Sequence, residues 1–266
     1  MSRLLDTYRA EMRVAVANQM QYRGPAFLNL VGFMLEPTVY LVVWRTVAEQ
    51  GGPINGYGVA EFTAYYIVWT LVRVMNLALA PGSWDWWIQT GRISNDLLHP
   101  VHIYHRQLAT FAGFKIVWLL LWIPVAGFLG LVFRPSFHPT PEAIAIFFVA
   151  IWLGYVIRFN LLFLLGNISF WTTKAQALIE VMIAAEILLS GRLVPMAVMP
   201  DWVANVSDKL PFKWTFQYPI EVLIGRLSPS EALAGLGFQV LWAGGLGLLI
   251  MLIWRRAIRR FTAVGT

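Results

Sequence analysis

The sequence predicts an all-α polytopic membrane protein. It has six transmembrane helices, an N-terminal interfacial helix, and short re-entrant or external helices between spans five and six. Three observations carry that reading. Hydrophobic residues make up 58% of the chain and charged residues only 13%, where a soluble domain would be about one-quarter charged. Six apolar runs stand out, at 26–48, 62–80, 107–133, 142–171, 174–191 and 231–254. A span needs about 20 residues, so five are long enough and 174–191 is marginal. Lys and Arg, finally, are unevenly shared between the connections, as they are in membrane proteins with a fixed orientation. Each run is continuous and far longer than a barrel strand, which excludes a set of strands. The whole chain, 1–266, reads as a single transmembrane domain.

Composition narrows the class further. The 13 Trp and 17 Phe fit aromatic belts at the membrane interfaces. With no Cys, disulfides and thiolate metal sites are excluded. The net charge of +6 lies mostly near the chain ends and concerns orientation before nucleic acid. No cleavable signal peptide is visible, because the first 25 residues are charged and amphipathic with no apolar core.

Residues 3–23 read as a helix on the membrane surface. At helical spacing Leu4, Leu5, Tyr8, Met12, Ala15 and Val16 share one side. Arg3, Asp6, Arg9, Arg13, Asn18, Gln21 and Arg23 share the other. A basic polar face suits an anionic leaflet. Gly24-Pro25 is expected to turn the chain into the first span, with Pro25 in that helix's first turn. Gly51-Gly52-Pro53 closes the first span, and Arg134-Pro135 with Pro139 to Pro141 closes the third.

If the N-terminus is cytoplasmic, that side holds Arg3, Arg9, Arg13, Arg23, Arg92, Arg106, Lys174, Arg255, Arg256, Arg259 and Arg260. The other side holds Arg134, Arg192, Lys209, Lys213 and Arg226. Eleven against five, with no Lys or Arg in 49–61, puts both termini inside.

The cytoplasmic stretch 81–106 is the longest polar one on that side. Ser83 is expected to cap a short helix over Trp84–Thr90, and Gly91 to close it in a left-handed conformation. Trp84, Trp87 and Ile88 share one face of it, while Asp85 and Gln89 point elsewhere. Ser94-Asn95-Asp96 and Leu97-Leu98 follow, and Pro100 stops any helix begun there. Two amphipathic pieces near a membrane surface point to a docking element. Interfacial anchoring by the tryptophans is the plainer alternative, and the two are compatible.

After the fifth run, 190–225 carries prolines at 195, 200, 211 and 219. It is too apolar for a free loop and too interrupted for a span. Asp201 is expected to cap a helix over Trp202–Lys209 that ends before Pro211. Irregular backbone at membrane depth is tolerated only against protein or a cavity. Short re-entrant or surface helices on the outer side, within 192–230, are therefore expected, with an ordinary external loop as the alternative.

Here the residues reach a resemblance. Ser190-Gly191, Leu193, Pro195, Met199-Pro200, Trp202, Leu210-Pro211, Pro219 and Gly225 resemble the pattern after the fifth helix of the bacterial type-2 ATP-binding-cassette (ABC) exporter permease. Gly91-Arg92-Ile93-Ser94 with Leu97-Leu98 and Pro100 is similar to that family's cytoplasmic loop. The resemblance implies a permease subunit in the bacterial inner membrane, paired with an identical or sibling permease and binding two ATPase subunits. Those partners would bind the ATP and Mg. It also implies that Gly91, Arg92, Ile93, Ser94, Asp96, Leu97 and Leu98 couple to the ATPase. The chain itself has no Gly-x-x-x-x-Gly-Lys-Ser/Thr phosphate loop, so hydrolysis is not expected of it, nor any cofactor of its own.

Glu36, Arg45, Arg73, Lys115, Arg158, Glu180 and Glu186 lie within or at the ends of apolar runs. A charge at the bilayer centre costs about 2.5–3.5 kcal/mol on insertion scales, so such residues face protein or water. Arg73 shares a stripe with Tyr66, Trp69, Thr70 and Asn76. Tyr66, Trp69, Arg73, Glu180 and Glu186 are the candidates for a polar translocation path. Buried Arg–Glu pairs that fix helix packing are the structural alternative, and it is preferred for Glu36, Arg45 and Lys115. His99, His102 and His105 suit an interface better than a metal, since Pro100 breaks their helix. Ala243 and Gly247 form a small-xxx-small pair, and the arginines at 255, 256, 259 and 260 suit lipid headgroups.

Two other classes compete. A secondary transporter driven by an ion gradient would use Glu180 or Glu186 as proton site, but it usually has two related halves, which are not visible. A membrane-embedded lipid-modifying enzyme would need clustered carboxylates, whereas Asp85 and Asp96 stand apart. The default substrate is an amphipathic small molecule, a drug or a lipid.

Overall fold

A computed structural model describes residues 2–78, 83–135, 139–172 and 175–260. These residues form eleven α-helices and no named strand. The helices are α1 (Ser2–Gln21), α2 (Arg23–Gly51), α3 (Val59–Met75), α4 (Ser83–Gln89), α5 (Ile93–Leu97) and α6 (Ile103–Phe133). They continue with α7 (Pro141–Asn167), α8 (Ala175–Leu189), α9 (Asp201–Asp208), α10 (Gln217–Leu223) and α11 (Pro229–Ala257). Among them, four stretches are long and apolar enough to cross a membrane: Phe27–Gly51, Ile103–Phe133, Pro141–Phe170 and Pro229–Arg260.

The other two expected spans are shorter than the apolar runs that announced them. α3 has 17 residues and α8 has 15, or about 26 and 22 Å at 1.5 Å per residue. Both fall short of the roughly 30 Å hydrocarbon thickness. Helix α3 ends at Met75, with Asn76 as its C-cap, rather than running on to 80, and residues 79–82 lie outside the described residues.

Helix boundaries follow their caps. Thr140 accepts the Ala143 N–H at 3.1 Å ahead of Pro141, and so starts α7. Ser228 and Glu231 form a capping box that starts α11. Two expectations shift here. The break between α1 and α2 falls at Tyr22, with Gly24 and Pro25 already inside α2. Asp201 is the first residue of α9, not its cap: the N-cap position is Pro200, and no side chain caps it. Proline ahead of a helix can hold the entry angle without a side-chain bond. The Ser83 side chain lies outside what is described.

The N-terminal helix is more than a float on a surface. Helix α1 lies along the first part of α6, with Ala15 buried where the two cross. A Cβ at Gly113 would sit 2.7 Å from the Met12 carbonyl oxygen, so only glycine permits that approach. Tyr8 Oη lies 3.0 Å from His105 Nδ1, and Thr110 donates to Glu11. Leu4 and Leu5 stay exposed.

Helix α3 is the buried axis, packed by α2, α6, α7 and α10. The chain from Ser190 to Gly225 folds back against it, and the polar stripe of α3 satisfies that irregular backbone. Tyr65 Oη donates to the Gly191 carbonyl at 2.7 Å, Tyr66 Oη to Leu193 at 2.8 Å, and Asn76 Nδ2 to Thr215 at 2.7 Å. Gln239 of α11 donates to the carbonyls of Ala150 and Trp214. These bonds are what irregular backbone needs when water is excluded. The segment is therefore packed against protein, not a free loop.

Candidate functional site

The 81–106 stretch supplies a second apolar cluster, separate from the one around α3. Trp84 on α4 is 1% exposed. Its indole meets Phe163 of α7 edge-on, centroids 4.9 Å apart. It lies flat over Gly166, where a Cβ would come within 2.8 Å of the ring. Trp87 and Ile88 pack against the same cluster. The opposite side of α4 is also tied down, because the Asp85 carboxylate accepts the Gln176 N–H at the start of α8. One seven-residue helix thus touches both α7 and α8.

Gly91 follows at φ 68°, the left-handed conformation expected of it. Ser94 Oγ donates to its carbonyl at 2.6 Å. The Arg92 guanidinium lies 4.3 Å from the Trp86 ring centroid, a cation–π contact on the exposed side. In α5, Ile93 is fully buried and Leu97 packs inward with it, whereas Leu98 is 85% exposed. The Leu97-Leu98 pair therefore divides, one residue anchoring the loop and the other facing outward. Asp96 pairs with Arg106 at 3.0 Å, and Arg106 pairs with Glu11 of α1 at 2.9 Å. The loop is thereby fastened to α1, α6, α7 and α8 at once. It presents Trp86, Arg92, Asn95, Leu98 and His99 outward.

Sequence reasoning missed the Arg106 hub, having used that arginine only for orientation. It also missed the Trp84–Gly166 seat. Neither has a local signal: Glu11 and Arg106 are 95 positions apart. Among the described residues, no group of three or more His, Cys, Asp or Glu is arranged to hold a metal. His102 meets Trp254 edge-on, with ring centroids 4.6 Å apart. Burial, and then the neighbouring His105, lower its pKa below the usual histidine value.

The five residues considered for a translocation path do not share one surface. Tyr66 and Trp69 are fully buried; the first donates to the Leu193 carbonyl, and the second packs on Phe216 at 5.7 Å between ring centroids. Glu186 is 1% exposed and held by Arg158 through two bonds, at 2.7 and 3.2 Å. Arg158 Nη1 also donates to the Asn76 carbonyl at 2.6 Å. Arg73 shares Glu36 with Arg192, at 3.5 and 2.7 Å. Glu180 is exposed on α8 and accepts from Gln176 one turn earlier. The polar lining expected from these five is thus split between the packed interior, a half-buried ion triad and an outer helix face.

The residues assigned to structure from the sequence have structural partners. Lys115 is buried, donates to the Leu77 carbonyl and lies over the Tyr155 ring at 3.9 Å. Arg45 pairs with Glu49 on an exposed helix face.

No curated protein matches the chain. A family model described as "ABC-2 family transporter protein" matches residues 34–265, which takes in every helix but α1 and the first part of α2. Membership in this family makes the protein a membrane component of an ABC transporter and implies an ATPase partner. On that match, which covers most of its length, the chain belongs to the ABC-2 family of transporter proteins as a permease subunit.

Proposed function

We propose that this subunit forms half of the translocation pathway of an ATP-driven exporter in the bacterial inner membrane, with an amphipathic small molecule, drug or lipid-like compound as substrate. A second permease, identical or sibling, supplies the other half, and two ATPase subunits bind the ATP and Mg. In this reading α3 and α8 are the second and fifth of six spans, the return segment completing the short α8 on the outer side. The observation that carries it is the α4–α5 loop. A loop bound to four helices transmits a displacement of its outer face, whereas a solvated loop would absorb it. Family membership favours ATP drive over an ion gradient, and transport over lipid modification. Tyr66, Trp69 and Glu186 would line a path only if the packed core opened. Glu180 and the Glu36–Arg73 pair are the polar groups closer to the surface, which favours a path along the subunit's outer face, against the second permease.

The first test is of partnership. Co-expression with an ATPase encoded for this system is expected to give a complex whose transport stops on removal of ATP; transport that persists without it returns the ion-gradient reading. Orientation is a separate test. The chain has no Cys, so single cysteines report cleanly. Both termini inside predicts that, in intact cells, an impermeant thiol reagent labels Gln50→Cys and spares Asn95→Cys. The reverse pattern overturns the orientation and the coupling surface together.

A further inference from the structure

A groove runs between the start of α6 and the last turns of α11, on the side of the helices that also carries the α4–α5 loop. Its cavity volume is about 560 Å³, inside the roughly 300–1,000 Å³ range of small-molecule sites. The wall is apolar along Met251 and Trp254, and Arg255 with His102 stands at one end. The hollow exists because α11 has glycine at 244 and 247.

These two glycines are not demanded by helix packing inside the subunit. A Cβ at Gly113 or Gly166 would collide with a neighbouring helix or ring. At Gly244 it would meet nothing within 4 Å, and at Gly247 only Asn160 Nδ2, at 3.9 Å. The backbone beneath is nevertheless rigid. Tyr104 donates to Asn160 at 2.8 Å, and Asn160 donates to the Ala243 carbonyl at 3.0 Å. A fixed floor stripped of side chains leaves room for something from outside the chain.

Charge says what kind. Arg255, Arg256 and Arg259 make no ion pair among the described residues. Glu11 and Asp96, which lie beside the start of α6, are already held by Arg106. The mouth is therefore positive beside an apolar trough, at the end of two membrane-crossing helices. An anionic amphiphile satisfies both parts at once: a phosphate at Arg255 and an acyl chain over the glycines. We propose that this groove is a binding site for one anionic phospholipid of the leaflet that meets the basic tail; on the orientation given above, that is the inner leaflet.

The test uses the full-length chain in detergent, titrated with phosphatidylglycerol or phosphatidylcholine. Retention is read by native mass spectrometry and stability by Tm. Phosphatidylglycerol is expected to be retained and to raise Tm, because a ligand that binds only the folded state stabilises it; phosphatidylcholine is expected to do neither. Arg255→Gln should weaken retention about fivefold, the worth of one basic residue near an anionic headgroup. Gly244→Phe fills open space, so its lipid-free Tm should match wild type while its retention is lost; Gly247→Leu serves the same purpose if the first variant expresses poorly. Equal retention of the two lipids, or wild-type retention in the filled variants or in Arg255→Gln, would overturn the site. So would efficient disulfide cross-linking of Met251→Cys between two copies of the chain, which would make the groove a subunit contact.

Discussion

Arg158→Met is expected to remove most of the folded subunit from the membrane. Arg158 and Glu186 form a two-bond pair inside the protein, between α7 and α8. Removing one member leaves the other charged without its two-bond partner, at a cost of about 3–5 kcal/mol. That is a large share of the stability of an ordinary domain, about 5–15 kcal/mol. Glu186→Leu should fail in the same way. The double variant Arg158→Met with Glu186→Leu should recover most of the yield and Tm, since an apolar pair of similar volume removes both desolvation costs. Recovery stays incomplete because the Asn76 carbonyl also loses its donor from Arg158, worth about 1 kcal/mol. Glu180→Gln, on an exposed helix face, should leave yield and Tm unchanged. A double variant as unstable as either single one would show that the pair is not the reason these residues matter.

Gly166→Leu is the second large effect, and it acts on the loop. The new Cβ would lie 2.8 Å from the Trp84 indole, so either α7 shifts or the ring leaves its seat. Helix α7 is held along its length by α11 and α10, so the ring yields. Overpacking costs about 1–3 kcal/mol, and losing the buried indole costs up to about 3–5 kcal/mol. The expected readings are a lower Tm, new protease sensitivity at α4, and ATP hydrolysis no longer linked to transport. Adding Trp84→Ala to Gly166→Leu should return part of the stability, because the leucine then occupies the vacated space. If Gly166→Leu alone behaves as wild type, the Trp84 seat does not hold the loop.

The four long apolar helices, the polar-to-apolar balance and the turn at Gly91 were legible because each depends on neighbouring residues. The return of 190–225 was legible for a related reason. Four prolines in an apolar stretch cannot make a span, and irregular apolar backbone has to lie against protein. What periodicity could not supply was the partner. The stripe Tyr66, Trp69, Arg73 and Asn76 was read as polar and of one face, which it is. Whether that face meets water or another carbonyl depends on Leu193 and Thr215, more than 120 positions away. Glu36 and Arg192 are separated by 156 positions, and nothing local assigns them to each other. In the loop, Leu97 and Leu98 look equivalent in sequence. One turns inward only because α5 begins at Ile93, which sets the face that meets α7 and α6.

In the proposed mechanism the ATPase docks on the outer face of the α4–α5 loop. Leu98 is the residue to change, since it is 85% exposed and carries no packing inside the subunit. Leu97 should be kept, because it anchors the loop. The direct measurement is the affinity of the purified ATPase for the wild-type permease and for Leu98→Asp, with Tm recorded for both. The expected result is an unchanged Tm, ATPase binding weaker by at least about tenfold, as for a central interface anchor, and transport lost with it. Leu98→Asp that binds the ATPase and transports as wild type would contradict it, and would move the coupling surface to the N-terminal helix.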